Sequence, residues 1–117
     1  MNALKSDVKT LLTSLSSSMY YGDTPTSPDN VQCFFHTGGY TRSSSGTYVE
    51  EPTFMIWVRN ASYEAGYTMC DVIKNLLHCK ATGGILYCEQ MGDTLDCGKD
   101  ANGRSEFSLN FRCLYRR

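Results

Sequence analysis

The chain has 117 residues, enough for one ordinary domain that buries roughly two-thirds of its unfolded surface in a single core, with no length for a second. Lys plus Arg number 11 against 12 Asp plus Glu, a net charge of -1, so no general field draws in phosphate backbones or acidic membranes. The longest apolar run, Phe54 to Val58, is far below a membrane span, and Lys5, Asp7 and Lys9 interrupt the N-terminal region where a secretory segment needs unbroken apolar positions. A soluble, unexported chain is expected.

The first periodic segment is "MNALKSDVKTLLTSL", where Leu4, Val8, Leu11, Leu12 and Leu15 form one apolar stripe at helical spacing. Asn2 is its candidate N-cap and Ser16, Ser17 and Ser18 close it. A surface helix with its stripe turned inward is expected. "VQCFFH" then reads as a strand. From Thr37 to Pro52 the chain holds three glycines and a serine run, the composition of a long hairpin or flexible loop, with Tyr40, Arg42 and Tyr48 as anchors. Thr47–Glu50 is a candidate edge strand within it.

"TFMIWV" is apolar on both faces and suits a central strand. Arg59 ends it, where its charge can stay wet or meet an acid such as Glu64, and Ala65 lets the following helix lie close to the sheet. That helix starts at Asn60 or Ser62 as cap, carries Ala65, Met69, Val72, Ile73 and Leu76 as its inward stripe, and ends near His78, before Gly83 and Gly84. Tyr63, Tyr67, Cys70 and Lys74 lie nearly opposite that stripe, where a plain surface helix would be charged. Tyrosines there either cover neighbouring loops or form a second packed face against another subunit, since interfaces are enriched in Tyr.

"GILYCEQ" supplies another strand, and "EFSLNFRCLYRR" the clearest one: Phe107, Leu109, Phe111, Cys113 and Tyr115 on one face, Ser108, Asn110 and Arg112 on the other. The order predicts an α+β fold, two helices packed on one face of a mostly antiparallel sheet with a long hairpin loop. Six cysteines are read as reduced, buried thiols: Cys70, Cys79, Cys88 and Cys97 are nine apart, with no close ligand pair for a metal knuckle. His36 and His78 lack a partner at metal-binding spacing, and no motif supports a Cys70–His78 nucleophile pair. No catalytic, cofactor or metal residue is assigned.

"IWVRNASYEAGYTMCDVIKNLLH", with "MGDTLDCGKDANGRSEFSLNFR" downstream, resembles the tail-terminator proteins of long-tailed bacteriophages, often called minor capsid proteins. The matching positions are Arg59, Tyr63, Ala65, Leu76 and Leu77, then Gly98, Asp100, Gly103, Arg104, Leu109, Asn110 and Phe111. The loop after His36 is longer and richer in serine than that pattern, and Cys97 stands where an aliphatic residue is usual. The resemblance implies one tail-terminator-like domain over residues 1–117 and a structural virion protein rather than an enzyme. It implies a homo-oligomer, a six-fold ring at the head-proximal end of the tail, assembled in the host cytoplasm. Its partners would be the tail tube protein on one face and a head-completion or neck protein on the other, with genomic DNA passing through unread. A neck or head-completion protein, a small cytosolic thiol enzyme and a host-derived binding module are the alternatives. The candidate interface residues are Tyr40, Arg42, Tyr48, Tyr63, Tyr67 and Arg112.

Overall fold

The computed structural model describes residues 2–15, 18–22, 24–41 and 49–116, with the side chains of residues 2, 3, 39–41 and 49 left out. In chain order it forms α1 (Asn2–Leu11), a 3-10 turn (Thr13–Leu15), β1 (Met19–Tyr21), β2 (Val31–Thr41), β3 (Val49–Asn60) and α2 (Tyr63–Leu77). β4 (Lys80–Thr82), β5 (Ile85–Gln90), β6 (Leu95–Lys99) and β7 (Ser105–Arg116) follow. Among the described residues they build one sheet in the order β1-β2-β3-β7-β5-β4, with β6 also on β7. β1 runs parallel to β2 and every other pairing is antiparallel, so the α+β architecture with a mostly antiparallel sheet holds.

The core lies between the helices and one sheet face. Leu4, Val8 and Leu12 of the first stripe are fully buried, and Leu11 and Leu15 pack against them from its margin. On β7 Phe107, Leu109, Phe111, Cys113 and Tyr115 are buried as expected, and of the other face Arg112 is exposed and Asn110 half-buried, while Ser108, opposite Leu95 of β6, is buried too. Phe34, Phe54 and Phe111 sit side by side on β2, β3 and β7 with ring centroids 5.3 Å apart at both steps, a cross-strand aromatic ladder that sets register. On the helix-free face Met55 and Trp57 remain half-buried. No described helix is long and apolar enough to cross a membrane.

Three expectations change. Of the two readings of Thr37 to Pro52 the long hairpin holds and the flexible loop does not: β2 continues to Thr41 and β3 begins at Val49, with Gly38 facing Thr53 and Thr41 facing Glu50. A bulge at His36/Gly38, where Gly38 has φ 98° and donates its N–H to His36 Nδ1, shifts the register without ending the ladder. Val49 and Glu50 therefore open β3 rather than form a separate edge strand, and the connection 42–48 lies outside the described residues. Second, α2 is rotated by one residue from the expected stripe: it buries Gly66, Cys70, Ile73 and Leu77, leaving Ala65 and Val72 exposed. A Cβ on Gly66 would stand 2.7 Å from Phe107 Cε2, so Gly66, not Ala65, gives the helix its close approach to the sheet. Third, Cys79 and Cys97 are exposed; only Cys33, Cys70, Cys88 and Cys113 are buried as expected.

The molecule measures 50 × 25 × 22 Å. β7 runs along much of it, and Phe107 and Arg116, nine residues apart, are about 30 Å apart along the strand.

Candidate interaction surface

The first turn of α2 is fixed by local polar groups. Asn60 Oδ1 accepts the N–H of Ser62 at 2.9 Å, Ser62 Oγ caps the helix by accepting from the Ala65 N–H at 3.3 Å, and Asn30 Oδ1 accepts from the Ala61 N–H at 3.0 Å. With Gly66 seated on Phe107, Tyr63 and Tyr67 both lie against that buried ring, at centroid distances of 5.3 and 6.0 Å. They stack on each other at 6.4 Å and remain 46% and 43% exposed. The pair therefore flanks the buried face of α2 rather than lying opposite it, and Cys70, expected beside them, points into the core. An open hollow of about 580 Å³ is lined by Tyr63, Glu64, Tyr67 and Thr68.

The surroundings of the tyrosines are acidic. Asp96 on β6 accepts a hydrogen bond from the Tyr63 hydroxyl and, with its charge, raises the Tyr63 pKa above the ordinary phenol value. Glu64, Asp71, Asp93 and Asp96 are all exposed at this end of the sheet.

Arg59 has a different role from the one expected. It is 3% exposed; its Nη2 donates to the carbonyl of Pro25 at 2.6 Å and also to that of Pro28, while its guanidinium carbon lies 5.6 Å from the Trp57 ring centroid. Arg104, 7% exposed, donates from Nη1 to the carbonyls of Thr26 (2.9 Å) and Pro28 (3.1 Å). Two arginines 45 positions apart thus share the Pro28 carbonyl and clamp the segment 24–30 against the sheet. Asp100 orients Arg104 by accepting from its Nε at 2.8 Å. Desolvation pushes the Asp100 carboxyl up, but its hydrogen bonds from Arg104 and Asn102 together hold it below the usual carboxylate range.

Arg112 belongs to another place. It lies on the helix-free face, half exposed, ion-paired with Glu89 across β5 and β7 beside a cavity of about 260 Å³ lined also by Glu51, Tyr87 and Leu114. Tyr63 and Tyr67 are brought together, but Arg112 is not joined to them. Tyr40 faces Glu51 in the β2–β3 ladder, its side chain outside the description, and Arg42 and Tyr48 lie outside the described residues.

The chemistry of the four buried thiols, Cys33, Cys70, Cys88 and Cys113, is that of a core. Burial pushes Cys70 up to about 12, and His78, about 12 Å further along the helix, accepts the Gln90 N–H on Nδ1 at 3.1 Å. The pair is not assembled. Among the described residues no group of three His, Cys, Asp or Glu side chains could hold a metal ion.

The described residues form an elongated, mostly antiparallel sheet with its helices on one face. The same fold occurs in a chain of the virion of the native gene transfer agent (GTA) particle, with a TM-score of 0.79 and 14% identity over 99% of this chain and 96% of that one. The family described as bacteriophage tail terminator protein matches residues 9–117, and the chain belongs to that family. It is a structural component of a phage virion and not an enzyme. No curated protein sequence matches it.

Proposed function

We propose that the protein forms a six-membered ring that caps the head-proximal end of the tail tube, ends tube growth and offers its far face to a head-completion or neck protein. A head-to-tail stack stops when its last ring pairs with the one below but carries no copy of that ring's upper face. The observation that carries this reading is the pair of unlike ends on one elongated subunit, an aromatic, acidic end around Tyr63 and Tyr67 and the end where β2 reaches Thr41 and β3 begins at Val49. Closed rings need two different complementary patches per subunit. A net charge of -1 suits a conduit that genomic DNA traverses without being read. Residues 1–117 act as one unit, assembled in the host cytoplasm.

The test is a phage in which this gene is silenced. Electron micrographs are expected to show tails of irregular, excessive length that do not join filled heads, and purified protein added to growing tubes is expected to arrest them. Tails of normal length that merely fail to join heads would assign the chain to the neck instead.

A further inference from the structure

Exposed charge is sorted along β7. At the Phe107 end stand Glu64, Asp71, Asp93 and Asp96, with Lys99 as the exposed cation of β6. At the other end Asp7 of α1 accepts from the Tyr115 hydroxyl at 2.9 Å and from the Gly84 N–H at 3.0 Å, which ties α1 and the β4–β5 turn to the last residues of β7. Lys5 on α1, Lys80 on β4 and Arg116 on β7 are exposed cations of the elements that meet at this end. Of the nearby acids, Asp7 is half-buried in those two hydrogen bonds, Glu50 is 9% exposed, and Glu51 and Glu89 are half-buried around Arg112.

The two ends are about 30 Å apart on a stiff strand, so they cannot meet within one chain. They are complementary between copies. We infer that the Tyr63–Tyr67 surface of one subunit receives the Lys5–Lys80–Arg116 end of the next copy, a heterologous contact that deepens the ring reading and rests on it. Three features favour a second copy over another partner. The contact uses opposite charges that this chain itself carries at opposite ends. Tyrosine faces are good seats for lysine and arginine cations. The exposed parts of the two rings offer about 90 Å² each, an aromatic anchor inside a polar rim.

Charge exchange tests it. One variant carries Glu64→Lys and Asp96→Lys, a second Lys80→Glu and Arg116→Glu, and sedimentation velocity measures mass for each, for their equimolar mixture and for the unaltered protein. The unaltered protein is expected to assemble. Each variant alone should assemble at least tenfold more weakly, by like-charge repulsion, with an unchanged circular dichroism spectrum. The mixture should recover rings in which the two variants alternate, which six positions permit. A monomeric mixture of folded variants, a variant that assembles like the unaltered protein, or an unaltered protein that stays monomeric overturns the contact. If the lysine or glutamate changes unfold the chain, Glu64→Gln with Asp96→Asn and Lys80→Gln with Arg116→Gln serve: assembly should weaken and lose its salt dependence, and retained salt dependence refutes the pairing. The capping proposal stands or falls separately, on tail length in the silenced phage.

Discussion

Replacing Gly66 by alanine puts the close approach of α2 to a quantitative test. The helix interior gains about 1 kcal/mol from losing a glycine. Against that, the new Cβ would sit 2.7 Å from Phe107 Cε2 and 3.1 Å from Asn60 Cβ. Phe107 is fully buried, with Tyr63 and Tyr67 against it, so the ring has little room to retreat. Overpacking of this kind costs about 1–3 kcal/mol, which leaves a net loss of about 1 kcal/mol. For a chain of 117 residues that corresponds to a drop in melting temperature of about 4 °C. Thermal unfolding followed by circular dichroism is the assay, and Asn75→Ala, exposed on the same helix, isolates the propensity effect and should raise the midpoint slightly. The displaced Phe107 should also carry Tyr63 and Tyr67 with it, so assembly weakens more than the lost stability accounts for. If Gly66→Ala raised the midpoint as much as an unobstructed Gly→Ala change, the reasoning would be refuted.

Arg59→Met keeps the apolar stem but leaves the Pro25 carbonyl without its buried donor; we expect a loss of about 2 kcal/mol and new protease cutting within residues 24–30, while resistance equal to the unaltered protein would contradict the clamp. Alkaline stability follows from burial, which holds Cys70, Cys88 and Cys113 neutral up to about 12, and from burial plus Asp7, which does the same for Tyr115. These raised values stabilise the fold fully below the unfolded values near 9 and 10, and the contribution is lost as pH rises through about 12. At pH 10.5 the loss is about 2 kcal/mol per thiol, so a urea midpoint that stays flat from pH 7 to 10.5 would be the contrary result. Under native conditions a thiol reagent should label Cys79 and Cys97 quickly and the other four cysteines only after unfolding, as peptide mass mapping will show.

Where one face of an element is buried and the other wet, the sequence by itself determined the outcome. The period-two alternation of β7 and the stripe Leu4, Val8 and Leu12 place those residues correctly because water rejects the wrong rotation or register. On α2 periodicity left two neighbouring stripes one residue apart, and hydrophobicity favoured the one containing Val72, since glycine contributes no apolar signal. The choice fell to the space under Gly66, which exists only once Phe107 is in place. β1, β4 and β6 have three, three and five residues, too short to show a pattern, and they become strands by borrowing the hydrogen-bonding edges of longer neighbours. Arg59 and Arg104 each read locally as ordinary charged residues. Only the pairing of β3 with β7 and the return of the segment 24–30 beside them brings both guanidinium groups to the Pro28 carbonyl, because a buried cation must find acceptors and backbone carbonyls from distant sequence are the ones the fold presents.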